Sequence, residues 1–361
     1  MTFEDQGAEW RKGKQAERYP TVLPENAKKW DAASRVYDLK GEWIEYDDKI
    51  PPPRDELFGF RRWAGSWIRR QPKEEPSQTP TPPPERERRD KVIYFLHGGA
   101  YIGGTTQLYR LLSGRLAKET NCKVFALDYR LAPEHAFPAA LHDAFTGYLY
   151  MINPQHSYPK DIILMGDSAG GGLVMCLLNY LNLYLRSPTG QHLVPLPSGA
   201  ALMSPWVDLA FTSESWSTNA TFDWLPSNAR QIHDHIVPGF IRDRVEQFVR
   251  HPLVSPIFAE TYAGLPPILI QAGEAEVLRD DSLALAFKYD RDNVGRHGFK
   301  GWVRHEMFTD MVHIFVMMSW TKESTSAMQR INYFLDELEV GHPLEPICVE
   351  DDVTVDSHVS L

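Results

Sequence analysis

From Lys91 onward the chain repeats one pattern: a short apolar run, then a segment of helical spacing. The runs are Val92–Leu96, Val124–Leu127, Ile162–Met165, Ala200–Met203, Ile268–Gln271 and Gly301–Glu306, and the helical segments between them include Leu108–Glu119, Ala139–Met151 and Gly170–Leu185. Apolar runs this short, without polar alternation, suit strands buried on both faces. Strands alternating with helices build a mostly parallel sheet flanked by helices, which is an α/β fold. Only the stretch from Trp206 to about residue 254 breaks the rhythm, and its aromatic and polar content reads as a cap inserted over the sheet.

These limits set three parts. Residues 1–85 form an N-terminal cap segment that ends in a linker carrying Pro72, Pro76, Pro80, Pro82, Pro83 and Pro84. Residues 86–340 form the α/β domain, and residues 341–361 read as an acidic, disordered tail. The linker could also serve as a proline-rich ligand for an SH3-type partner. With 361 residues, 43% of them hydrophobic, a single large core can be filled. A net charge of −10 excludes the basic footprint of a nucleic-acid binder. The chain has no apolar run of about 18 residues, so no transmembrane segment is expected. Residues 1–20 lack the apolar core of a secretory signal. Cys122, Cys176 and Cys348 show no metal-ligand spacing and fit a reduced, cytoplasmic chain. Without a secretory route, the acceptor pattern Asn219-Ala220-Thr221 carries no weight as a glycosylation site.

The chemistry concentrates at Gly166-Asp167-Ser168-Ala169-Gly170. An apolar strand leads into these residues and a helical run leads out. A serine on such a strand–turn–helix junction is pushed into the open, where its hydroxyl can act as a nucleophile. His97-Gly98-Gly99-Ala100-Tyr101 follows the first strand directly. Glycines there let backbone N–H groups approach a developing oxyanion, so Gly98 and Gly99, with Ala169, are the expected donors. His97 itself reads as a brace for the loop.

These pieces resemble the hormone-sensitive-lipase family of α/β-hydrolases. The matching stretches are HGGAYIGG at 97–104, DYRLAPEHAFPAAL at 128–141, GDSAGGG at 166–172, SPW at 204–206, LPPILIQAGEAEVLRDD at 265–281 and DMVHIF at 310–315. They cover about residues 90–335 in the family's order, and the later ones are similar to fungal members such as steryl acetyl hydrolases. Ala100 departs from the third glycine of many members, and the membrane anchor of some sterol-acting members is missing.

The resemblance implies the α/β-hydrolase fold and a serine esterase needing neither metal nor cofactor. Of the 13 histidines, the one following the last strand is His313, since His305 lies within that strand. The family's histidine falls at His313 as well. The acid should follow Ile268–Gln271, where Glu274, Glu276, Asp280 and Asp281 compete. The family pattern of Gly, two residues, then an acid selects Glu276, and Asp280 and Asp281 read as caps of a helix beginning near Ser282. Arg130 and Glu134 read as a polar network behind the oxyanion loop rather than as substrate contacts.

Two aromatic segments, Lys29–Arg70 and Trp206–Val254, are candidate lids, and Tyr101 and Trp206 are expected to line the pocket. Leu57–Arg70 reads as a cap helix, with a membrane-surface helix as the alternative. The expected substrate is an ester or thioester of a hydrophobic small molecule. The same serine, acid and histidine could instead transfer an acyl group from an acyl-carrier domain or close a lactone in secondary metabolism. A non-catalytic small-molecule receptor is the third reading, disfavoured because all three positions hold competent residues.

Overall fold

The computed structural model describes residues 39–45, 89–153, 156–225, 232–293, 303–341 and 355–356. Most of the N-terminal cap segment and linker, including Leu57–Arg70, lies outside the described residues, as does most of the tail.

The sheet has eight strands: β1 (Lys40–Ile44), β2 (Val92–Leu96), β3 (Lys123–Asp128), β4 (Ile162–Asp167), β5 (Gly199–Met203), β6 (Ile268–Gly273), β7 (Val303–Phe308) and β8 (Val355–Asp356). Their order is β1-β3-β2-β4-β5-β6-β7-β8. The strands β2 to β7 run parallel, and β1 and β8 close the two edges antiparallel. Among the described residues, five helices of at least eleven residues flank the sheet: α1 (Arg110–Thr120), α2 (Ala139–Met151), α3 (Ser168–Asn179), α4 (Arg279–Asn293) and α5 (Lys322–Val340).

The apolar runs become strands because both faces of the sheet are covered. Tyr94, Leu96, Ile162, Leu164, Ile268 and Ile270 point into one core, shared with α2 and α3. Their neighbours Ile93, Phe95, Ile163, Met165 and Leu269 point into the other, shared with α1 and α5. A strand that needs apolar side chains on both faces cannot alternate with polar ones, which is why these runs are continuous. The edge strand β1 has no such requirement, and its residues are exposed or half-buried. It was not separable from the charged N-terminal segment by pattern alone.

Register brings the functional loops to one end. Leu96 pairs with Gly166, Asp167 with Met203, and Gly273 with Phe308, so the loops after β2, β4, β6 and β7 open at the same edge. This is where α/β sheets place their ligands. Among the described residues, the segment between β5 and β6 contains only short helical turns, such as Ser215–Thr218 and Val237–Ile241, and forms an irregular cap. After β7, Ile314–Trp320 does not form an α-helix. Ile314 has a left-handed backbone, followed by a single 3-10 turn at Phe315–Met317, and α5 begins only at Lys322.

Candidate active site

Ser168 begins α3 with φ of 50°, the strained conformation of a sharp strand-to-helix turn. Such a residue stores roughly 1–3 kcal/mol and persists only where its surroundings hold it. Here the backbone is packed too tightly for side chains. A Cβ on Gly170 would lie 2.1 Å from the carbonyl oxygen of Leu96 and 2.5 Å from that of His97. The turn is held from the other side by the Trp206 N–H, which donates to the Ser168 carbonyl at 2.9 Å.

The Ser168 Oγ lies 2.9 Å from His313 Nε2. His313 sits in the loop after β7, and its Nδ1 faces the Glu276 carboxylate at 3.7 Å. That separation is an ion-pair distance rather than a hydrogen bond. Both groups are buried, and among the described residues neither Glu276 oxygen nor His313 Nδ1 has a hydrogen-bond partner. Each therefore has the other as its facing polar group, and such contacts commonly tighten when substrate binds. The structure thus brings Ser168, His313 and Glu276 into one line. His305 is instead buried within β7. The other acids have separate work: Asp281 accepts from the Ser213 hydroxyl and Asp280 from the Ser215 N–H. They tie the cap to the start of α4, which begins at Arg279, three residues earlier than its expected start near Ser282. Burial, helped by the nearby Asp208 charge, pushes the Asp281 carboxyl well above its ordinary range.

The oxyanion loop differs from expectation by one residue. The Gly98 N–H is not free, because it donates to Asp167 Oδ1 at 2.9 Å and so faces into the protein. Gly99 and Ala100, with φ of 111° and 55°, follow in left-handed conformations, and their N–H groups have no partner among the described residues. Ala169 is the second residue of α3, so its N–H has no acceptor within the helix. The free donors beside Ser168 are therefore Gly99, Ala100 and Ala169. Asp167 is fully buried and also accepts from the Tyr109 hydroxyl at 2.9 Å. Burial pushes its carboxyl up to about 6, although both hydrogen bonds act the other way.

The loop is braced from behind. The His97 ring stacks on Tyr129 at 4.3 Å, and Tyr129 donates its hydroxyl to the His97 carbonyl. Burial lowers the His97 imidazole below its usual range. Asp128 accepts from both the N–H and the hydroxyl of Thr106. Arg130 is spent on a bidentate pair with buried Asp143, and Glu134 is exposed. Arg130 is thus part of the expected polar network, whereas Glu134 faces solvent and is not.

The pocket residues require correction. Tyr101 is 1% exposed and stacked on Phe240 at 4.1 Å, and Trp206 is 3% exposed with its indole N–H on the Asp208 carbonyl. Their surfaces are used up in packing beneath the site. Exposed aromatic surface beside His313 belongs instead to the cap residue Trp224, whose ring lies 5.7 Å from the imidazole. Sequence reasoning also passed over Asn219. Its side chain is buried, and its amide donates to the carbonyls of Glu274 and Glu276 at 2.9 Å, so the apparent glycosylation pattern serves the acid loop. Asp223 was missed altogether; it accepts from the N–H groups of Val277 and His313. Polar residues occur throughout the cap, so no local pattern marked these two.

Comparison with known proteins agrees with this fold. Residues 93–317 match the family model described as the alpha/beta hydrolase fold. An esterase of Acinetobacter venetianus is 36% identical over 258 residues, covering 69% of this chain and 76% of that protein. An acetyl-hydrolase of Streptomyces hygroscopicus is 38% identical over 197 residues, 54% of this chain and 60% of that protein. Among solved structures, a hormone-sensitive lipase from a metagenome library superposes with a TM-score of 0.59 at 30% identity, over 69% of this chain and 78% of that one.

Proposed function

Because the chain belongs to the hormone-sensitive-lipase-like family of α/β-hydrolases, we propose that it is a carboxylic-ester hydrolase that works through an acyl-enzyme on Ser168. The observation that carries this reading is the 2.9 Å contact between Ser168 Oγ and His313 Nε2 at the elbow. The esterase and acetyl-hydrolase relatives support ester cleavage as the reaction.

In this mechanism Ser168 Oγ attacks the ester carbonyl carbon while His313 Nε2 takes its proton. Negative charge gathers on the carbonyl oxygen, where the N–H groups of Gly99, Ala100 and Ala169 receive it. One such donor is typically worth about 2.7–4 kcal/mol in the transition state. As the C–O bond breaks, the imidazolium returns its proton to the leaving oxygen. Water then attacks the acyl carbon while giving a proton to His313, and that proton passes to Ser168 Oγ as the Oγ–acyl bond breaks and the acid leaves. Throughout, the Glu276 carboxylate holds the ring in one tautomer and stabilises its charged form. The exposed face of Trp224 favours a hydrophobic acyl or alcohol group.

The test is Ser168→Ala with a short nitrophenyl ester. Turnover should fall below about one percent while the fold is retained, and wild-type protein should release a stoichiometric burst of nitrophenol. Activity retained in the variant would place the nucleophile elsewhere. Mass analysis of products from hydroxyacyl thioesters separates hydrolysis, which gives free acid, from acyl transfer or lactone formation by the same residues.

A further inference from the structure

The acid and the base hang on two different loops, after β6 and after β7. Sheet pairing ends at Gly273 and Phe308, before either residue is reached. Beyond the sheet the two loops meet directly, the Glu274 N–H donating to the Phe308 carbonyl and the Ala275 N–H to the Met311 carbonyl, both at 2.9 Å, and the cap ties them a second time beside the acid and the base. One carboxylate bridges the two loops: Asp223 Oδ2 accepts from the Val277 N–H at 2.9 Å, next to Glu276, and Oδ1 accepts from the His313 N–H at 3.1 Å. The following residue closes the other side of the histidine. Trp224 donates its indole N–H to the His313 carbonyl at 2.7 Å, and its ring lies 5.7 Å from the imidazole. His313 is thereby held at both its N–H and its C=O by consecutive residues of one cap segment. That segment is itself anchored, since Asn219 donates to the Glu274 and Glu276 carbonyls and Ser215 donates its hydroxyl to the Val277 carbonyl at 2.6 Å.

From this arrangement we infer that Asp223 and Trp224 are positioning residues that fix the register of Glu276 and His313, so that the cap aligns the acid–base pair rather than only covering it. The inference rests on the proposed roles of Ser168, His313 and Glu276. Its physical basis is the sensitivity of proton transfer to placement. A shift of about 1 Å in a reacting group can lower the rate roughly 10²-fold. The Glu276–His313 separation, already 3.7 Å, leaves no slack.

Leaving-group dependence reads out such a role. An ethyl ester expels a strongly basic alkoxide that needs the His313 proton as its C–O bond breaks, whereas nitrophenolate leaves with little protonation. A misplaced imidazolium must therefore harm ethyl esters more. We expect Asp223→Ala to lower kcat/KM for ethyl butyrate at least about tenfold further than for 4-nitrophenyl butyrate. Trp224→Phe keeps the ring but loses the N–H, and should shift the same ratio less. Asp223→Asn retains one acceptor and should restore part of the loss. Equal loss on both esters, or loss of less than about twofold in folded Asp223→Ala, would overturn the inference. Where Asp223→Ala fails to fold, an unchanged ester ratio in Trp224→Phe overturns it as well. Failure of the underlying reading looks different, because Ser168→Ala would then keep its turnover.

Discussion

Burying Asp167 beside Ser168 has a stability consequence with a definite sign. Its carboxyl is fully buried and raised from an ordinary value near 3.8 to about 6. The folded protein therefore holds this proton over a pH range in which the unfolded chain has released it. Between about pH 4 and 6 the native state binds more protons than the unfolded state, so this group makes the wild type less stable as pH rises. A carboxyl raised this far destabilises the fold by about 3 kcal/mol, fully expressed above the folded value. Asp167→Asn removes the charge and keeps the shape. Its side-chain oxygen can still accept from Gly98, and its amide can donate to the Tyr109 hydroxyl in place of the present bond. Urea denaturation of both proteins at several pH values is the assay. The variant should match the wild type near pH 4 and exceed it by up to about 3 kcal/mol at pH 8. A variant less stable than wild type at pH 8, or a difference that does not change with pH, would refute the reasoning.

Three other outcomes are expected. Glu276→Gln should lower turnover by roughly 10²–10⁴, because the neutral amide no longer stabilises the imidazolium, whereas Asp281→Asn, on the Ser213 side, should change it less than about fivefold. The opposite ranking in steady-state assays would move the acid to Asp281. Arg130→Ala leaves the buried Asp143 charge uncompensated and should destabilise by about 3–5 kcal/mol in denaturant unfolding, a loss that a solvated pair would not show. Gly170→Ala forces a Cβ against the Leu96 and His97 carbonyls, and should abolish soluble expression or reduce both stability and turnover. A fully active, stable variant would mean the elbow is looser than described.

The central strands were legible in the sequence because burial on both faces leaves an uninterrupted apolar signature. The edge strand β1 was not, since half-buried residues such as Trp43 resemble those of any charged amphipathic segment. The elbow was legible for a geometric reason: glycines are demanded wherever backbone meets backbone, and those demands are local. What could not be read was direction. Nothing in the string Gly98-Gly99-Ala100 reveals that Asp167 turns the first N–H inward and leaves the next two free. Tyr101 and Trp206 were named for their aromaticity, but an aromatic ring fits a floor as well as a wall, and only packing against Phe240 and the α3 start distinguishes the two. Asn219 and Asp223 act on residues far away in the chain, so their partners were beyond any local pattern.

The antiparallel edge strand also decides how the molecule could be held. Lys40 pairs with Asp128 at the catalytic end, and Ile44 pairs with Val124 at the opposite end, where β2 begins beside that same strand. Ile44 and Ile93 flank Val124, so they stand about 10 Å apart, two strand spacings. The chain between them leaves and rejoins the sheet at the end away from Ser168. Lengthening a connection is inexpensive, about 0.6 kcal/mol per doubling. A fusion partner, an affinity handle or a surface linkage joined beside Ile44 or Val92 would start from the end of the sheet away from Ser168, whereas the same attachment ahead of Lys40 would start from the catalytic rim.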